Sequence, residues 1–213
     1  GDNIEERTNI YVKTKYEGET ITTKYQKVGV KTNIYRVGNL AFMSDSLKGQ
    51  ENISDNAFFS RLNCLINMGW ICPQISREAI SPVDLTARAI TLLFDKAFIQ
   101  NKIHHVFNTK ISNVGEAIYQ SKLFNIQKVS VREFISNIVN FIDDPKYQHF
   151  IELYLLHKRW LDKNHNTTYI EILQNRTGAI LKEYGFEWPE INPNDIATYL
   201  NKECSREENG KNS

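Results

Sequence analysis

Between Thr8 and Leu40 the chain sets a polar helix ahead of a strand, and this order limits the fold more than any other stretch. The helix begins in Thr8-Asn-Ile-Tyr-Val-Lys-Thr-Lys-Tyr-Glu-Gly-Glu19. A turn at Val28-Gly29-Val30 follows, and Lys31-Thr-Asn-Ile-Tyr-Arg-Val-Gly-Asn-Leu40 reads as a buried strand running into a glycine-bearing loop. In the helix Tyr11 stands four residues ahead of Lys15, so the two project from one face about one turn apart. That pairing suits carbonyl reduction. A tyrosine hydroxyl can hand a proton to an oxygen that is becoming an alkoxide, but its ordinary pKa of about 10 makes it slow near neutrality. An ammonium beside it favours the phenolate, and its three donors can hold the ribose hydroxyls of a nicotinamide cofactor.

Spacing alone does not select this pair. With 10 tyrosines in 213 residues, roughly one Tyr-x-x-x-Lys is expected by chance, and the chain has a second at Tyr154 and Lys158. The second lies in Ile-Glu-Leu-Tyr-Leu-Leu-His-Lys, whose periodic leucines read as an ordinary amphipathic helix. The strand behind Tyr11 favours the first.

Several later pieces follow in a fixed order. They are Ile34-Tyr-Arg-Val-Gly-Asn-Leu40, Ser44-Asp45, Gly49-Gln-Glu-Asn52, Asn56-Ala-Phe58, Ser81-Pro-Val-Asp-Leu85, His104-His-Val-Phe-Asn108 and Thr177-Gly-Ala-Ile-Leu-Lys-Glu-Tyr-Gly-Phe-Glu-Trp-Pro189. With Tyr11, Lys15, Glu17 and Glu19 they resemble the extended short-chain dehydrogenase/reductase family, and within it the terminal thioester reductase domains of nonribosomal peptide synthetases. The resemblance runs from about Thr8 to Leu200. It implies an α/β fold: the C-terminal portion of a Rossmann-like reductase with a mainly helical substrate lobe. On that reading residues 1–40 are the last part of the Rossmann-like domain. Residues 41–203 form the substrate-binding lobe, with short strands near 102–108 and 127–130.

The resemblance also assigns roles. Tyr11 and Lys15 are catalytic, Lys15 and the loop Val37, Gly38 and Asn39 lie beside NADPH or NADH, and Gln50 and Asn52 are substrate contacts. The bland alternative for Asn52 is a helix cap, shared with Ser54. The partner implied is an acyl or peptidyl carrier protein with its phosphopantetheine arm. None of the 10 glycines forms Gly-x-Gly-x-x-Gly, so the turn that would cradle a pyrophosphate is expected in an N-terminal Rossmann half outside this sequence. The piece alone is therefore expected to bind NADPH weakly and to be inactive.

Composition narrows the classes. A formal charge of +1 with scattered Lys and Arg argues against a nucleic-acid binder. No run approaches the roughly 18 apolar residues of a membrane span, and no signal-peptide pattern opens the chain. Cys64, Cys72 and Cys204 form no CxxC pair and read as reduced thiols in a cytoplasmic protein, where the Asn-x-Ser/Thr triplets at Asn52, Asn166 and Asn175 carry no sugar. His104 and His105 are neighbours in a strand, point to opposite faces and cannot easily share a metal; one packs inward and the other faces out.

Along the rest of the chain, Ala41 to Asp55 reads as a loop and Asn56 to Met68 as a helix ended by Gly69. Pro82 to Phe98 is a second helix with Asp84 at its start, Lys102 to Asn108 a strand, and Val114 to Phe124 a helix. Gln127 to Ser130 is a short strand, and Ser130 and Glu133 make a capping box for Val131 to Ile142. Helices over Pro145 to Leu161, Thr168 to Tyr184 and Pro193 to Asn201 are expected to form a small bundle packed by Trp160, Phe186 and Trp188. Residues 204–213 are expected to be a disordered tail. Two other functions share these features: a nucleotide-sugar epimerase or dehydratase, and a carrier-docking module without chemistry.

Overall fold

The threonine-rich stretch behind Tyr11 is a poor helix former, yet it is helical. The computed structural model describes residues 10–141 except 95, then 143–145, 147 and 173–211. In helix α1 (Ile10–Lys27) the hydroxyls of Thr20, Thr22 and Thr23 each donate to the carbonyl four residues back, at 2.9 Å. Lys24 and Lys27 sit in the last turn, where cations oppose the negative end of the helix dipole. The chain turns at Gly29 and enters β1 (Asn33–Val37).

β1 pairs in parallel with β6 (Lys102–Val106), Asn33 opposite Lys102 and Val37 opposite Val106. Two expectations change here. The strand read as buried is only half-buried and ends exposed at Arg36 and Val37, because β6 is its one paired neighbour among the described residues. And β6, assigned to the helical lobe, lies in register beside β1, so the boundary after residue 40 does not separate the two strands.

Three further two-stranded ladders tie the middle of the chain. β2 (Asn39–Leu40) pairs with β5 (Ile80–Ser81), and β3 (Trp70–Ile71) with β8 (Gln127–Lys128), both parallel. β4 (Arg77–Glu78) pairs with β7 (Ser112–Asn113), antiparallel. Between them run α2 (Ala57–Met68), α3 (Val83–Leu93), α4 (Val114–Ser121) and α5 (Val131–Val139). Asn56, rather than Asn52 or Ser54, caps α2 by accepting from the Phe59 amide at 2.9 Å, and Gly69 closes the helix in the left-handed region at φ 76°. α3 stops five residues short of the expected end, and a 3-10 turn at Ala97–Ile99 follows. The capping box of Ser130 and Glu133 on α5 is formed.

Most buried side chains fall in one core joining α2, α4, α5 and β3 to the last helix, α7 (Pro193–Lys211). At its centre Tyr199 lies 5.1 Å from Phe42 and 6.3 Å from Phe59, ring centroid to centroid. Large apolar side chains buried this way each contribute about 2–3 kcal/mol. A second core holds Ala89, Leu93, Val106 and Leu181 with Phe186 and Trp188, whose rings meet edge to face at 5.0 Å. Phe186 and Trp188 are thus packing residues, and among the described residues they pack with side chains of α3 and β6. They reach those elements through α6 (Asn175–Glu183), which ends at Gly185. Tyr154, Lys158, Trp160, Asn166 and, apart from 145 and 147, the helix expected over 145–161 lie outside the described residues.

The tail expected to be disordered is a correction: 204–211 continue α7. Arg206 in this stretch binds loop carbonyls, and Glu203 just ahead of it is fully buried. Charge here marks contacts, not solvation.

Candidate active site

A two-armed ion pair fixes α1 against the sheet. Arg36 on β1 donates through Nε and Nη2 to the two carboxylate oxygens of Glu19, at 2.8 and 2.5 Å. The hydrogen bonds from Arg36 hold the Glu19 carboxyl below its ordinary range, and Glu19 raises the Arg36 guanidinium in turn. Glu19 stands four residues beyond Lys15 and eight beyond Tyr11, so all three positions share one face of α1.

This contact sets heights along the helix. α1 and β1 are joined by a short turn and meet through Glu19 and Arg36. With about 1.5 Å of rise per residue, Lys15 stands roughly 6 Å and residue 11 roughly 12 Å from Glu19 along α1. Lys15 is exposed. Residue 11 is helical, and its side chain lies outside the described residues.

The loop at the end of β1 is packed tightly from beneath. A Cβ at Gly38 would stand 2.7 Å from the Phe107 Cβ and 3.4 Å from the Ser81 Oγ, so glycine is required by close approach, not by backbone angle. Phe107 cannot easily withdraw. Its carbonyl accepts from Gln174 Nε2 at 2.8 Å, and the next amide, of Asn108, donates to Ser81 Oγ at 2.9 Å. Val37 is exposed, whereas the Asn39 side chain donates to Glu78 at 3.0 Å. Glu78 also accepts from Arg61 at 2.5 Å; burial pushes its carboxyl up, against the pull of Arg61 and Asn39.

Gln50 and Asn52 belong to the same rim, though their amides are used within the loop. Gln50 donates to the Asn52 carbonyl and Asn52 to the Asp55 carboxylate, both at 2.8 Å. Asn56 Nδ2 lies 3.4 Å from both the Leu40 carbonyl and Gln50 Oε1, which joins the loop to the residue after Asn39. Through Asn56 the structure links the segment 50–52 to Leu40, the residue after the loop Val37–Asn39, while α1 is tied to β1 at Glu19 and Arg36.

Other candidates resolve as structure. Asp84 at the start of α3 accepts from the amide and hydroxyl of Ser44; partial burial raises its carboxyl, but these bonds prevail and hold it below its ordinary range. His104 is buried, and burial lowers its pKa; His105 lies on the opposite face, 3.4 Å from Arg36 Nη1. Cys64, Cys72 and Cys204 form no disulfide among the described residues. A cavity of about 260 Å3 opens between Arg36, His105, Gln174 and Arg176 beside the ion pair. The pairing of Glu19 with Arg36 was not read from the sequence. The available signal was the place of Glu19 on the Tyr11 and Lys15 face.

Comparisons with known proteins bear on the fold. Residues 1–90 match the model of an NAD-binding family described as male sterility protein. The chain superposes on the thiolation-reductase di-domain of an archaeal nonribosomal peptide synthetase with a TM-score of 0.73, at 22% identity over 93% of its length. The chain has the fold of part of a reductase domain. The reductase domain of the aureusimine biosynthetic cluster gives 0.65 at 24% identity, and the terminal domain of the myxalamid pathway 0.71 at 16%, over 91% and 92% of the chain. This chain spans 42%, 50% and 49% of the three. No curated protein matches the sequence. Among the described residues no helix is long and apolar enough to cross a membrane.

Proposed function

We propose that the chain is the C-terminal part of an NAD(P)H-dependent thioester reductase, which releases an acyl or peptidyl chain from a carrier protein as an aldehyde or alcohol. The observation that supports this most is geometric. The ion pair of Glu19 and Arg36 ties the helix that carries Tyr-x-x-x-Lys to the strand that leads into Val37–Asn39, in a fold shared with three reductase domains.

The residues present fit one side of a nicotinamide site. Lys15 is exposed and its ammonium can donate to ribose hydroxyls, and Val37 offers an exposed apolar surface at the strand end. Gly38 lets the chain pass flush against Phe107. Asn39 contributes through its backbone, its amide being engaged by Glu78. When bound, the dinucleotide supplies the hydride.

This chain's residues handle the proton. The Tyr11 hydroxyl donates to the thioester oxygen as hydride adds to the carbon, giving a hemithioacetal, and Lys15 stabilises the phenolate left behind. The phenolate then takes the hydroxyl proton back as the C–S bond breaks, releasing the aldehyde and the phosphopantetheine thiolate. Gln50 and Asn52 line the acyl side, and the exposed apolar residues Ile21, Tyr25 and Val28 of α1 and its turn are the surface against which the N-terminal Rossmann half packs. The phosphopantetheine arm of the carrier enters over the same rim.

The test uses the complete protein with a carrier-bound thioester. Tyr11→Phe is expected to lose aldehyde formation by 100-fold or more, on the order of a general acid's contribution, while carrier binding by calorimetry stays unchanged. Full activity in that variant removes the tyrosine from the mechanism.

A further inference from the structure

The last turns of α7 reach back 154–156 residues to the loop that carries Gln50 and Asn52. Glu203 Oε1 accepts from the Gly49 amide at 3.2 Å, and Arg206 Nη2 donates to the carbonyls of Gln50 and Glu51 at 2.6 and 2.9 Å. Glu203 is fully buried, and its second oxygen lies 3.1 Å from Arg206 Nη1. A carboxylate taken out of water needs such partners, so the loop amide and the arginine are conditions for its burial there.

The loop backbone is also pressed onto the helix. A Cβ at Gly49 would stand 2.9 Å from Glu203 Oε1 and 3.0 Å from Tyr199 Cε2. Tyr199, Glu203 and Arg206 follow at helical spacing on one face of α7: the first fills the core, and the other two hold the loop. On its far side the loop is tied to Leu40 through Asn56. It is thus suspended between the end of β2 and the end of α7, and what the arginine grips is backbone, whatever side chains the loop displays.

We infer that Glu203 and Arg206 are positioning residues for the acyl-binding rim: they hold residues 49–52 at a fixed height above Val37–Asn39 without touching the substrate. This rests on the proposed reductase reading, in which that loop meets the acyl chain. An interaction lost equally from ground and transition states raises KM and leaves kcat alone, which separates a rim-positioning role from a catalytic one.

The experiment uses the complete protein with a carrier-bound acyl thioester, and compares wild type with Arg206→Ala and Arg206→Lys. Amide hydrogen exchange over 47–56 reports the loop itself. Arg206→Ala is expected to speed exchange there about 10-fold and raise KM about 10-fold, with kcat within about twofold, since two charge-assisted bonds to a partly exposed loop are lost. Arg206→Lys, which keeps one donor, is expected to lie between. Unchanged exchange overturns the clamp, and faster exchange with unchanged KM overturns the positioning role. A wild-type protein that does not turn over the thioester, with faster exchange in the variant, overturns the reductase reading while the clamp stands.

Discussion

Replacing Gly38 by alanine tests whether the loop beside the proposed nicotinamide site is shaped by packing. The added methyl would stand 2.7 Å from the Phe107 Cβ, where ordinary van der Waals contact begins at 3.4 Å, so something must move by 0.7 Å or more. Neither partner is free to do so. Phe107 is fixed by the bonds of Gln174 to its carbonyl and of the following amide to Ser81, and β1 is fixed by its register with β6. Forcing a methyl into such a site costs about 2–3 kcal/mol. For a chain of this length that lowers Tm by about 4–12 °C. Thermal unfolding followed by circular dichroism measures it. Gly18→Ala in α1 is the control, because nothing lies within 4 Å of its Cβ and an alanine there gains about 0.5–1 kcal/mol of helix propensity. A Gly38→Ala protein that melts within 2 °C of wild type, or a Gly18→Ala protein that falls as far as Gly38→Ala, refutes the reasoning.

Two further outcomes follow from the ion pairs. Arg61→Met leaves Glu78 with Asn39 as its remaining side-chain donor, at a cost of about 2–3 kcal/mol near neutrality. Glu78 already has its folded-state pKa raised by burial, so the folded chain binds the proton more firmly than the unfolded one, and this group's contribution falls as pH rises from the ordinary glutamate range through the folded pKa. The deficit of Arg61→Met in urea unfolding should therefore shrink as pH falls toward 4.5, and a pH-independent deficit contradicts the assignment. Glu19→Gln weakens a partly exposed pair worth about 1 kcal/mol or less, so Tm should hold within about 4 °C while kcat in the complete protein falls as Tyr11 and Lys15 lose their fixed height. Unchanged kcat means the pair is only a surface tie.

Sequence alone reached the helix-then-strand order at residues 10–37, the ends of α2 and α6 at Gly69 and Gly185, and the capping box of Ser130, because each follows from local chemistry. A helix stop needs only a residue tolerant of positive φ, and a cap needs only a hydroxyl three residues ahead of a glutamate. The order of short motifs also reached the fold, since it reflects elements laid down along the chain.

Tertiary structure decided the rest. That β6 joins β1 depends on hydrogen bonds between residues 69 apart, for which no local pattern is diagnostic. The course of 204–211 depends on Glu203 and Arg206 finding backbone partners in a loop more than 150 residues earlier. Read locally, charged residues promise solvent. Only the folded chain shows which of them are desolvated against a partner, and that difference separates a loose tail from a helix that holds the rim of the proposed site.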